Sequence, residues 1–388
     1  MGTHDVVIVG AGPAGSIAGL VLARAGVRVR ILDRAAFPRD KLCGDTINPG
    51  TLARLGALGV ADGIERCGLR VDGMIVSGDG GIAIEGRYPR GLHGCSIVRR
   101  DLDALLLRHA IDAGCAFDPH VAVTGAVVDD GRVAGVSVGA QRIRAPVTIA
   151  ADGRRSTIAF GLGLARHPVR PRRWAIGAYF AGARPGPGGS QARGQAVARL
   201  GEMHVRKNCY IGVAPVPQDL TNVCLVRPSQ PADDDLRDPS TLLTRTLAAD
   251  PLLCDRFAAA RMATKPVVLG PLAVDVAQAS LDGLILAGDA AGFIDPMTGD
   301  GLRFAIRGAE LAAAAALDAL VHGWSGVHPR LARARRAEFR GKQRFNRALR
   351  SIVASPSAID AAAVAARVLP VLMRGIIARA GDCLGARR

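Results

Sequence analysis

The sequence predicts an α/β fold in two interlocked parts followed by a helical tail, and three observations predict it. Short apolar runs at residues 5–9, 147–150 and 283–287 have the length and β-branched content of buried strands. The first and last of these runs each lead into a glycine-rich loop and then a helical pattern. Between them, residues 166–270 change to strands, turns and one helical stretch. A chain of 388 residues is long for one domain, which suits two interlocked ones.

The first strand, Val6-Val7-Ile8-Val9, stops at Gly10-Ala11-Gly12-Pro13-Ala14-Gly15. A helix over 13–25 follows, with Pro13 at its start and Gly26 past its end. A second strand over 27–32 ends on Asp33. Strand, glycine turn, helix, strand and acid in that order form a dinucleotide site. Gly10 permits the tight turn, Gly12 lets backbone approach a pyrophosphate, and Gly15 lets the helix pack closely. The helix start offers amides and partial positive charge to phosphates, and Asp33 can accept from a ribose. On this segment alone, NAD and FAD are equally admissible.

Residues 37–45, Phe-Pro-Arg-Asp-Lys-Leu-Cys-Gly-Asp, read as a loop. Arg39 and Lys41 suit phosphates or solvent equally, and Cys43-Gly44 is a candidate to lie beside the ligand. A short helix over 51–58 and a glycine-rich β-like stretch over 71–84 come next. A helix then starts at Arg99 and runs to about residue 113. Arginine is poorly placed at a helix N-terminus unless an anion offsets it, so Arg99 is a ligand candidate. A surface ion pair with Asp103 is the alternative. Residues 121–128 and 133–138 form a hairpin turned at Asp129-Asp130-Gly131. The strand at 147–150 runs into Ala151-Asp152-Gly153, a second loop of amides and one carboxylate.

In the middle block, strands are expected at 174–183, 210–216 and 222–226, with helix over 236–261. This is a candidate substrate domain, since small-molecule sites favour domain interfaces. The strand at 283–287 ends at Gly288-Asp289, where a carboxylate can hold a sugar-like hydroxyl. Gly299 and Gly301 free the backbone at the start of a helix over 302–320. The tail reads as a basic helix over 330–350 and an apolar one over 359–380. Packing on the domain exterior is favoured for both over contact with an anionic membrane surface.

Composition excludes several classes. The net charge of +16 is nearly all arginine spread along the chain, with no nucleic-acid-binding motif, so no nucleic-acid partner is expected. The eight cysteines form no CxxC pair, which argues against zinc, an iron–sulfur cluster or a redox dithiol and for reduced thiols in the cytoplasm. No run of apolar residues is long enough to span a membrane, and no basic-then-apolar leader precedes the first strand.

Four motifs in order carry a resemblance: GAGPAG with Asp33, Arg99-x-x-Leu102-Asp103, Asp152-Gly153, and Gly288-Asp289 followed by Pro296-x-x-Gly299-x-Gly301. Together they resemble the flavoproteins with the p-hydroxybenzoate hydroxylase type of fold, which include aromatic and polyketide hydroxylases, geranylgeranyl reductases and flavin halogenases. The resemblance implies a glutathione-reductase-type FAD-binding Rossmann domain over 1–165 and 271–325. Strands at 70–97 would join an interleaved β-sheet substrate domain over 166–270, and basic helices would occupy 326–388. It implies FAD, with Gly10, Gly12, Pro13, Ala14 and Gly15 on the pyrophosphate and Asp33, followed by Arg34, at the adenosine ribose. Cys43 and Gly44 would lie beside the cofactor, Arg99 near the phosphates, and Val123 would offer backbone to the adenine. Asp152 and Gly153 would line the ligand. Gly288 and Asp289 would meet the ribityl chain. Pro296 and the amides of Gly299, Asp300, Gly301 and Leu302 would face the flavin ring. NAD(P)H would bind only transiently as reductant.

The family's reductases tend to carry Tyr-x-Trp-x-Phe-Pro, and its halogenases Trp-x-Trp-x-Ile-Pro. Here the matching stretch runs from Tyr210 through Gly212 and Ala214 to Pro215. Halogenation is therefore disfavoured, and the small residues would leave room for a bulky substrate. The expected reaction is NAD(P)H-dependent monooxygenation, with molecular oxygen, of a small lipophilic substrate of aromatic, polyketide or isoprenoid type. The alternative is saturation of isoprenoid double bonds, and a further rival is a non-catalytic membrane-surface flavoprotein. His204, Tyr210 and Asp295 are the polar residues weighed as acid or base, each more readily read as buried and satisfied.

Overall fold

The computed structural model describes residues 4–79, 83–89, 91–169, 172–186, 199–228, 234–277, 281–293, 297, 299–353, 375 and 378–383. Residues 187–198, Asp295, Pro296 and most of the expected helix over 359–380 lie outside the described residues.

Apolar runs too short to alternate form one five-stranded sheet in the order Leu284–Leu286, Val147–Ala150, Val6–Val9, Val29–Leu32, Ala116–Asp118. Every pairing in it is parallel, as strands buried on both faces require. The period of two divides each strand between two cores. Val6 and Ile8 face the helices Pro13–Arg24, Arg99–Asp112 and Gly301–His322, through Ile17, Leu20, Leu106, Ala309 and Ala313. Val7 and Val9 face a three-stranded sheet through Val133, Val136 and Ile143. That small sheet contains the expected hairpin, as Gly125–Asp129 and Arg132–Val138, turned at Asp130 (φ 50°) and Gly131 (φ 74°). Its third strand, Gln141–Arg144, escaped the sequence reading.

The second body is an eight-stranded sheet. Its path runs Arg261–Met262, Arg173–Ala181, Leu220–Pro228, Cys209–Val216, Leu200–Arg206, Gly73–Ser77, Ala83–Arg87, with Val267–Leu269 also on Arg173–Ala181. Chain from residues 73–87 thus reaches across to pair, in parallel, with Leu200–Arg206. One face of this sheet is covered by Leu242, Leu243 and Leu247 of the helix Pro239–Ala249, packed on Ile211, Val213, Val223 and Leu225. The helix expected over 236–261 is broken here. Pro251 disfavours the helical region for Asp250, which sits at φ −85°, ψ 123° and closes the helix. Asp250 instead holds Arg206 at 2.7 and 3.0 Å.

The tail helix Val327–Val353 docks on Gly301–His322 through Phe339 against Phe304 and Glu338 against Arg307. Among the described residues, no helix is long and apolar enough to cross a membrane.

Candidate cofactor and substrate site

Val9, Leu32, Ala150 and Leu286 stand in register across the parallel sheet. The chain therefore leaves four neighbouring strands, at their carboxyl ends, through Gly10, Asp33, Ala151 and Ala287. Open α/β sheets bind ligands in this crevice.

Small residues decide how closely these loops approach. Gly10 has φ 99°, and a Cβ there would stand 2.5 Å from the Ala151 carbonyl oxygen. A Cβ on Gly15 would stand 1.8 Å from the Gly10 carbonyl oxygen, and one on Gly288 2.8 Å from Ala14 Cβ. Gly12 N-caps the following helix without a side-chain cap, which leaves first-turn amides for an outside acceptor. Packing does not demand a glycine at this position, where an added Cβ would face only Arg39 Nη2, at 3.6 Å. Asp33 secures the loop: Oδ2 accepts from Ala11 N at 2.8 Å and Oδ1 from Ala35 N at 2.9 Å. Carboxylate oxygens keep further lone pairs for a hydroxyl. Arg34 is exposed just beyond it. Val123 is half-buried against the second core, two residues from Val121, whose amide donates to the Asp33 carbonyl at 2.8 Å.

Asp152 accepts from Thr157 N at 2.8 Å through Oδ2, while its Oδ1 is buried without a partner. Burial pushes this carboxyl above the usual range. Arg99 is no surface residue. It donates to Asp103 at 2.7 and 2.9 Å with both side chains buried, which corrects the exposed ion pair offered as an alternative. Burial opposes the Arg99 charge, but the Asp103 charge outweighs it and raises the pKa. Arg39 reaches the same carboxylate at 3.2 Å. Lys41 lies beside Arg99, Asp103 and Asp289, its ammonium depressed first by burial and then by Arg99. Arg154, near Asp289, is depressed by burial and then by Arg155. Four inward cations thus share two carboxylates beside open amides and an orphaned acceptor. That set fits a ligand with an anionic pyrophosphate and sugar hydroxyls.

The loop after Asp289 meets the large sheet. Phe293 and Met297 pack with Ala175, Tyr210, Val226 and Leu272, on the face away from Pro239–Ala249. Gly212 and Ala214 alternate with Ile211 and Val213 and so share the Tyr210 face. Gly299 (φ 66°) precedes the helix Gly301–His322, whose N-cap Asp300 makes no side-chain cap. First-turn amides at Gly301 and Leu302 are again left open.

A model of the FAD binding domain family matches residues 3–328. The chain belongs to this family. Menaquinone reductase of Mycolicibacterium smegmatis is 29% identical over 344 residues, covering 84% of this chain and 80% of that protein. Menaquinone reductase of Mycobacterium tuberculosis is 36% identical over 182 residues, and the match spans only 40% of its length. Digeranylgeranylglycerophospholipid reductase 2 of Methanopyrus kandleri is 29% identical, covering 81% of this chain and 77% of that protein. The fold matches a flavin-dependent brominase with TM-score 0.83 and 20% identity, over 98% of this chain and 94% of the brominase.

The protein is an FAD-dependent oxidoreductase. Gly10 to Gly15, Asp33, Arg99, Asp152 and Gly153 would supply charge and donors to the pyrophosphate and ribose end of FAD. Gly288, Asp289, Gly299, Gly301 and Leu302 would line its approach to the large sheet. Bound FAD supplies hydride chemistry; the chain binds, orients and shields it. Asp300 contributes only backbone at this loop. Its carboxylate is taken by Asn48 at 3.2 Å, Asn346 at 2.9 Å and Lys342 at 3.1 Å, which ties the tail helix to the loop.

His204 lies on the other face of the sheet. Its ring bridges Ser77 Oγ at 2.8 Å and Glu202 at 2.9 Å, and Arg256 holds Glu202 at 2.6 Å. This buried network braces the sheet against the residue 254–257 helix and takes no part in the site. Three residues escaped the sequence reading. Asp45, Tyr179 and Asn222 meet beside Cys43, whose carbonyl accepts from Asn222 at 2.8 Å. The available signal was the acid ending the residue 37–45 loop; nothing local pairs it with strands more than a hundred residues away.

Proposed function

We propose that the protein is an FAD-dependent reductase that saturates a double bond of an isoprenoid-type lipid, with NAD(P)H as transient reductant. The observation that carries this reading is the apolar face of the large sheet, where Tyr210, Val226 and Leu272 meet Met297 of the cofactor loop. A lipophilic chain fits such a wall, since burying it gains roughly 25 cal/mol per Å². The menaquinone and digeranylgeranylglycerophospholipid reductases that align over four-fifths of the chain support it, as both act on lipids by name. Flavin-loaded protein given NADPH or NADH and a short-chain menaquinone under strict anaerobiosis should yield a product with one double bond saturated. Product formed only with oxygen, one molecule consumed per turnover, would instead assign hydroxylation. That second reading is favoured by Gly212 and Ala214, whose small side chains widen the wall beside the flavin loop.

A lipid substrate gives the tail helix a role in membrane contact. Arg333, Arg336, Arg340 and Arg344 are exposed at helical spacing along it, while Leu331, Phe339 and Lys342 face inward. Basic residues near an anionic surface contribute roughly 1 kcal/mol each. Changing Arg333, Arg336 and Arg340 to Gln should therefore lower binding to anionic vesicles about 100-fold at low salt in flotation assays. Unchanged flotation removes the membrane contact.

A further inference from the structure

Asp45 directly follows Cys43-Gly44 and takes the left-handed conformation, φ 53°. Its carbonyl is clamped by Ile97 N at 2.9 Å and Ser96 Oγ at 3.2 Å. The residue is 1% exposed. Oδ2 accepts from Tyr179 Oη at 2.6 Å and from Asn222 Nδ2. Oδ1 is buried with no partner.

Tyr179 and Asn222 are cross-strand partners, and Asn222 is in turn paired with Ala214. Tyr179 alternates with Ala175 and Gly177, and Asn222 with Cys224 and Val226, so both project on the Tyr210 face. The carboxyl therefore lies on the proposed substrate wall, held through one oxygen and free at the other.

We propose that Asp45 is the proton donor of this face, carrying its proton on Oδ1 while Tyr179 and Asn222 fix Oδ2. The proposal rests on the reductase reading. Saturating a carbon–carbon double bond adds one hydride and one proton. The π bond breaks and two C–H bonds form. Bound flavin, reduced by NAD(P)H, would supply the hydride with both electrons to one carbon. The proton passes to the other carbon from Asp45, and the carboxylate left behind is reprotonated by water.

The surroundings agree. A buried carboxylate with one oxygen lacking any donor is costly, and protonation removes the charge. Burial raises the Asp45 carboxyl to about 6, against Tyr179, Asn222 and Arg99, which all favour ionisation. The Arg99 guanidinium is committed to Asp103. The Arg99 backbone N–H, at the start of its helix, faces the Asp45 carboxyl and also favours the ionised form, which burial outweighs. Cys224, on the neighbouring strand, is pushed up to about 12 by burial and stays a thiol. Cys43 and Asp40 act on Tyr179, whose hydroxyl burial also raises and keeps neutral. Ser96 touches only the backbone.

The test is an infrared pH titration of the flavin-loaded full chain, read beside turnover of a short-chain menaquinone. A carboxylic C=O band should vanish with a midpoint near 6 and be absent from Asp45→Asn. Turnover by Asp45→Asn should fall about 100-fold. Tyr179→Phe, which removes a donor to the ionised form, should raise the midpoint, and it keeps the test open where Asp45→Asn does not fold. No band titrating near 6, or Asp45→Asn turning over at the wild-type rate, overturns the proposal. A wild-type protein with the band but no turnover refutes the reductase reading, and the donor role falls with it.

Discussion

Gly15→Ala should leave the protein without flavin and measurably less stable. The added Cβ would stand 1.8 Å from the Gly10 carbonyl oxygen, 3.0 Å from its carbon and 3.3 Å from Ile8 Cγ2. Both near atoms are backbone, so relief requires the helix Pro13–Arg24 to move off the first strand. That strand is fully buried, and overpacking of such a core costs about 3 kcal/mol. At roughly 2.1 cal/mol/K per residue for a chain of 388 residues, this lowers Tm by about 4 °C. Flavin retention should suffer more than Tm, since the displaced helix carries the amides meant for the pyrophosphate. Gly161→Ala is the control. Nothing lies within 4 Å of its added Cβ, and alanine favours its helix. Absorbance of the flavin after gel filtration, with melting curves, checks both variants. A Gly15→Ala protein with full flavin would show that the close approach does not position the cofactor.

Asp103→Asn should destabilise the flavin-free protein by about 3–5 kcal/mol, the usual cost of stranding one partner of a buried ion pair. Asp103 is 0% exposed and holds Arg99 through two bonds and Arg39 at 3.2 Å. Its loss leaves two guanidiniums and the neighbouring Lys41 with one carboxylate fewer. An anionic pyrophosphate at the open end of the adjacent helices would replace part of that charge. The Tm deficit should therefore be smaller in flavin-loaded than in flavin-free protein, read by melting with and without added FAD. Equal deficits in the two states would place the cofactor phosphates away from Arg99.

The nucleotide half was legible because its signals are local. Four strands of the parallel sheet announce themselves by short apolar runs, whereas its edge strand Ala116–Asp118 and the strand Gln141–Arg144 carry no such run and escape the sequence. The chain beyond residue 165 was less legible for physical reasons. Pro251 outweighs the helical pattern around it. The strand Gly73–Ser77 gains its parallel partner, Leu200–Arg206, from more than a hundred residues away. Residue type does not reveal environment, so for Arg99 the sequence offers a ligand contact with a surface ion pair to Asp103 as the alternative, and only the fold shows that the pair is buried. Glu202, His204 and Ser77 alternate along strands as unremarkable polar positions until the sheet stacks them.

By itself the sequence determined the parallel sheet, the glycine loop and the order of the four motifs, because turn geometry and strand period are set by neighbours in the chain. The tertiary structure alone decided which loops touch, which ion pairs are buried and that Asp45 meets Tyr179 and Asn222. Those facts depend on strand register and on exclusion of water, and both are properties of the assembled sheets.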